Sequence, residues 1–92
     1  MILYYVYIVQ SLKDNNLYIG CSDNWERRLE EHNGGKNFST KSRRPFRLIY
    51  LEAFVDQEEA FKKEKFYKSG RGHEVLYKML FNTLSTKADG SK

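Results

Sequence analysis

One cysteine, one proline and two histidines are all that this 92-residue chain holds of residue types that staple, break or metallate small folds. With Cys21 alone, neither an internal disulfide nor a cysteine zinc cluster can form, and a reducing, cytoplasmic setting is expected. His32 and His73 are too few for a multi-histidine zinc site. No G-x-x-x-x-G-K-S/T loop and no G-x-G-x-x-G run occurs, so no nucleotide cofactor is expected on those phosphate cradles. The apolar start, Ile2 to Val9, is far shorter than the ~20 residues a membrane span needs. It also lacks a basic flank and a small-residue cleavage site, so neither a membrane partner nor a secretory signal is expected.

What is present is aromatic and basic. Tyr and Phe supply seven and six residues against a single Trp, and hydrophobic residues reach 40%. That is enough for one small domain with its own core and too apolar for a disordered chain. Sixteen Lys and Arg against twelve Asp and Glu leave a formal charge of +4. This balance favours a polyanion, DNA or RNA, over an acidic protein.

Ile2 to Gln10 is a continuous run of strand-forming residues, which predicts a strand covered on both faces or nearly so. Lys13-Asp14-Asn15-Asn16 is a turn cluster, and Leu17 to Cys21 reads as the returning strand of a hairpin. Tyr7 and Tyr18 share a face in one register and part in the next, and the sequence leaves the register open. Asp23 with Glu26 three residues on predicts a helix start, with the helix running to His32 or Asn33 and stopping at Gly34-Gly35. Lys36 to Arg44 reads as a basic loop closed by Pro45, and Phe46 to Phe54 as a third strand. Asp56 and Glu59 start a second helix ending at Gly70 or Gly72. His73 to Leu84 forms a third, with Val75, Leu76, Met79, Leu80 and Thr83 on one stripe. The order ββαβαα predicts an α+β fold, a small three-stranded antiparallel sheet flanked by helices in two layers, spanning residues 1–84 ahead of a short polar tail.

Three ionisable residues break the apolar stripes. In the first helix Trp25 and Leu29 define the inner face, and Arg28 and His32 lie on or beside it, while Arg27, Glu30 and Glu31 fall outside. Arg28 could simply lay its stem on the core, and His32 could be a partly exposed residue favouring the helix C-terminus. In the second helix Glu64 lies four after Ala60 and three before Tyr67, on the face that should be buried. A buried unpaired carboxylate costs several kcal/mol, so Glu64 pairs with a cation such as Arg28, binds a metal, or lines a cleft. Lys36, Lys41, Arg43 and Arg44, with Lys63 and Lys68, are candidate phosphate contacts, with Lys62 and Lys65 nearby in sequence. Asn37, Ser39, Thr40 and Ser42 interleave as neutral donors would. Cys21 reads as a strand-end residue rather than a thiol nucleophile, since no third group orients it.

The sequence Val6-Tyr7-Ile8, an eleven-residue step to Tyr18-Ile19-Gly20, then ten more to Arg28, resembles the GIY-YIG nuclease superfamily. The phrase E-A-F-K-K-E-K-F-Y-K-S-G matches that family's helix, with its catalytic glutamate at Glu64. The resemblance covers residues 4 to 80 and is similar to the N-terminal nuclease domain of the bacterial excision-repair incision subunit. It implies a three-stranded antiparallel sheet with flanking helices and a metal-dependent endonuclease acting on DNA. Tyr7 and Tyr18 fall on the two motif tyrosines, Arg28 and His32 on an R-x-x-x-H pattern, and Glu64 on the ligand of one Mg²⁺ or Mn²⁺. Tyr5 replaces the first motif's glycine, Cys21 stands where many relatives carry Lys or Arg, and Asn82 is a loose counterpart of a late asparagine. With no separate sequence-reading module in view, structure-selective or weakly specific cutting in repair or recombination is expected. A nucleic-acid-binding module that does not cut and a protein adaptor are the rival readings.

Overall fold

The computed structural model describes residues 1–85; the predicted tail from Thr86 to Lys92 lies outside the described residues. Strands β1 (Tyr4–Ser11) and β2 (Leu17–Ser22) form the hairpin, helix α1 (Trp25–Asn33) follows, and strand β3 (Phe46–Phe54) completes the sheet. Helices α2 (Gln57–Lys68), α3 (Gly70–Met79) and α4 (Phe81–Ser85) close the chain. The sheet is antiparallel throughout in the order β2-β1-β3. The order is therefore ββαβααα, one helix more than expected.

β1 is the central strand and every residue from Val6 to Ser11 is buried. Side chains alternate between faces, so a strand apolar throughout demands cover on both sides. Val6, Ile8 and Ile19 pack with Ala60, Tyr67, Leu76 and Leu80 of the later helices. Tyr7, Val9 and Phe46 pack with Tyr18, Leu48 and the α1 residues Trp25 and Leu29. The helices thus sit on both faces, and the expected two layers are three. Each fully buried aliphatic such as Leu76 contributes about 1.5–3 kcal/mol by leaving water.

Local chemistry moves several boundaries. The α1 cap is Asn24 rather than Asp23: its side chain accepts from the Arg27 amide at 3.0 Å, while Ser22 Oγ accepts from the Asn24 amide at 3.0 Å. Asp56 caps α2 as expected, accepting from the Glu59 amide at 2.9 Å. That helix ends at Lys68, before either glycine, because Ser69 ends α2 and caps α3, its hydroxyl oxygen accepting from the Gly72 amide. Gly72 is needed for contact: the Phe66 carbonyl occupies the place of its side chain. The predicted helix from His73 to Leu84 is broken at Leu80, and its stripe is only partly buried. Leu76 and Leu80 face the core, whereas Val75 and Met79 are exposed.

Candidate active site

The hairpin register pairs Tyr7 with Gly20 and Val9 with Tyr18, so the two tyrosines share the face covered by α1. Their rings lie 6.4 Å apart. The Tyr7 ring occupies the space that a side chain at position 20 would fill, which explains glycine there. From the helix above, His32 reaches down fully buried, its Nε2 3.3 Å from the Tyr7 hydroxyl and its Nδ1 2.8 Å from Thr40 Oγ1. The Tyr18 ring meets the imidazole edge-on at 4.7 Å between centroids.

These contacts favour one tautomer of His32. Thr40 is itself buried and its hydroxyl donates to the Asn37 carbonyl across a long 3.4 Å bond. It therefore accepts from Nδ1–H, and Nε2 keeps a lone pair toward the Tyr7 O–H. Burial, reinforced by the charge of Arg28, lowers the His32 pKa below the ordinary imidazole value, so the ring is neutral at pH 7. Burial raises the Tyr7 pKa, and the Arg28 guanidinium beside the hydroxyl opposes only part of that rise. His32 is thus no half-exposed helix-end residue, and Thr40 is no surface phosphate donor. Nothing in the sequence linked positions 32 and 40, because the intervening loop has no periodicity.

Arg28 is partly exposed and pairs with Glu31, at 2.8 Å, rather than with Glu64. Glu31, expected on the outer face, is half-buried because it bridges Arg28 and Arg27. Glu64 pairs with Lys68 one helical turn on, at 2.9 Å, and lies close enough to Tyr7 and Cys21 for its charge to raise both their pKa values. The burial that chiefly raises the Cys21 pKa keeps it a thiol. Cys21 pairs with Val6 and packs on the opposite sheet face from His32, so the two make no dyad.

The candidate phosphate contacts divide. Lys36, Lys41 and Arg44 are exposed on the loop that Thr40 anchors to His32. Arg43 turns inward, bonding Asp14 at 3.1 Å and lying over the Phe46 ring, so it ties the loop to the hairpin turn. Lys63 is partly exposed, lies over the Tyr67 ring and pairs with Glu52 at 3.4 Å. An open groove of about 480 Å³ beside Glu64 is lined by Glu58, Phe61, Lys62 and Lys65, so the two lysines outside the candidate set are nearer this carboxylate's groove than Lys63. Asn82 is exposed on α4.

No cluster of three or more metal-ligating side chains occurs among the described residues. The donor set nevertheless fits a small hard cation. Glu64 is one partly exposed carboxylate, and Mg²⁺ commonly takes one or two carboxylates with waters and substrate phosphates completing the shell.

A family model described as the GIY-YIG catalytic domain matches residues 3–77. The chain belongs to the GIY-YIG family. It is similar to a UPF0213 protein of Staphylococcus haemolyticus, 48% identical over 65 residues that cover 70% of this chain and 78% of that one. A UPF0213 protein of Lactiplantibacillus plantarum is 44% identical over 68 residues, covering 71% and 66%. The solution NMR structure of a UPF0213 protein from Bacillus halodurans superposes with a TM-score of 0.53 at 38% identity, covering 84% of each chain. The GIY-YIG catalytic domain is a nuclease-type hydrolase domain, and nucleases of this family generally use a divalent metal. No helix among the described residues is long and apolar enough to cross a membrane.

Proposed function

We propose that this GIY-YIG domain cleaves DNA phosphodiester bonds with a divalent cation held by Glu64, with little sequence preference, in repair or recombination. The observation that carries this reading is the buried run from Tyr7 through His32 to Thr40, which supplies a proton route a packing tyrosine does not need. A phenol with pKa near 10 is a poor base at neutral pH, and burial makes Tyr7 poorer still. His32 offsets this. As Tyr7 takes a proton from the attacking water, its own proton passes to His32 Nε2, and the Nδ1–H bond to Thr40 holds the resulting imidazolium in place. Arg28 bonds the Tyr7 hydroxyl and offers a planar fork to the phosphoryl oxygens. A Mg²⁺ or Mn²⁺ ion on Glu64, when bound, supplies Lewis acidity toward the phosphate. The new P–O bond forms as the bond to the 3′ oxygen breaks, and solvent protonates that oxygen, leaving 5′-phosphate and 3′-hydroxyl ends. Lys68, which pairs with Glu64 through Oε2, would stand beside an ion held there as a further cation for the DNA backbone.

Tyr18 is the second candidate base, favoured by its partial exposure, whereas Tyr7 is only 1% exposed. Single-turnover cleavage of labelled single-stranded, duplex, flap and branched DNAs, with Mg²⁺, Mn²⁺ or chelator, tests the scheme. Tyr7→Phe should lose on the order of 10²-fold or more in rate and Tyr18→Phe considerably less. The reverse order makes Tyr18 the base. Full activity in both removes tyrosine from the proton route.

A further inference from the structure

Phe38 is 93% exposed, the most exposed aromatic among the described residues, on a loop that is otherwise well bonded. Asn37 Oδ1 accepts from the Ser39 amide and hydroxyl at 3.1 and 2.7 Å. The Thr40 amide bonds the Asn37 carbonyl at 3.2 Å, and the Arg43 amide bonds the Thr40 carbonyl at 2.9 Å. The loop is thus held in one shape, with a large apolar ring at its tip. Two residues span at most about 7 Å of chain, so this ring projects from the immediate neighbourhood of Thr40 and its His32 bond. Exposed Lys36, Lys41 and Arg44 surround it in sequence. An aromatic ring with cations close by in sequence, on the loop that bonds His32 of the candidate site, is a combination suited to a strand with a free base face: the charges hold the backbone and the ring stacks.

We propose that Phe38 stacks on an unpaired base of the bound strand, so that the substrate class is DNA with a single-stranded or unstacked segment near the cut. The inference rests on the nuclease reading and adds the feature that selects the substrate. Continuous duplex offers no base face to the ring unless a step is opened, which costs a few kcal/mol. Forks, flaps and single strands offer one freely.

The test uses the full chain carrying Glu64→Gln, so that DNA is bound without being cut, and oligonucleotides with 2-aminopurine in a flap or in continuous duplex. The expected result is quenching of the flap fluorophore on binding. Phe38→Ala should abolish the quenching and weaken flap binding on the order of tenfold, while duplex binding stays within twofold. Phe38→Trp should restore both, and Phe81→Ala, which removes an exposed aromatic on α4, should change neither. Equal loss on flap and duplex, or no loss on either, overturns the proposal. In the same preparations, cleavage by the chain with native Glu64 reports the underlying reading. Metal-dependent cutting that Phe38→Ala leaves unselective and undiminished sinks the stacking role alone, whereas no cutting and no DNA binding by the native chain sinks both.

Discussion

Gly20→Ala is the smallest change that should disturb both the fold and the site. Gly20 sits opposite Tyr7 on the neighbouring strand, and a methyl group there would overlap the phenol end of the Tyr7 ring. The β1 backbone cannot yield cheaply, because it is central and paired on both edges, whereas β2 is an edge strand. Either the Tyr7 ring turns or β2 moves away from it, and a turn of the ring pulls its hydroxyl from His32 Nε2. Overpacking of this kind costs typically about 1–3 kcal/mol. For a domain of this size that corresponds to a fall in melting temperature of roughly 4–24 °C. Thermal unfolding followed by circular dichroism measures it, and Tyr7→Phe supplies the control. The hydroxyl oxygen is the atom closest to the added methyl, so removing it should relieve part of the strain. The double mutant should then show a favourable coupling of about 0.5 kcal/mol or more. In cleavage assays Gly20→Ala should lose on the order of 10²-fold, as Tyr7→Phe does. An unchanged melting temperature with full cleavage would refute the contact and the account of why glycine stands there.

Protonation gives an independent check on His32. Its pKa is lowered in the folded chain by burial and then by Arg28, so the unfolded chain binds the proton more readily. Stability should be fully present above the ordinary value near 6.5 and decline as pH falls below it, with the slope between pH 6.5 and 5 reduced in His32→Asn; identical slopes would contradict the buried neutral ring. Arg28→Lys keeps the charge beside Tyr7 but loses the fork. Turnover should fall on the order of tenfold or more with folding intact, and undiminished turnover would exclude bidentate contact with phosphate.

Much of this arrangement was legible in the chain before its fold. The strands were visible because Tyr, Val and Ile runs are bounded by turn residues, and β1's unbroken apolarity correctly implied cover on both faces. Arg28, His32 and Glu64 stood out because each interrupts a helical stripe. Partnership was less legible. Arg28 pairs with Glu31 and Glu64 with Lys68, since helical neighbours three or four residues away outcompete a partner on another element. Register decides whether Tyr7 and Tyr18 meet, and a one-residue slip has no local signature. Thr40 was hidden altogether, because a threonine in a basic loop looks alike whether it faces solvent or a buried imidazole. The break at Leu80 has no local signature, since Leu76 and Leu80 inward with Val75 and Met79 outward is the pattern of a continuous helix.

The central claim is that Glu64 serves the chemistry rather than the fold. Glu64→Gln preserves shape and removes the charge that pairs with Lys68. Binding and single-turnover cleavage of flap DNA in Mg²⁺, measured side by side for the native chain and this variant, test it most directly. The account predicts binding at native strength or tighter, with cleavage reduced on the order of 10³-fold. Native-rate cleavage by Glu64→Gln, or binding without cleavage by the native chain, would contradict it.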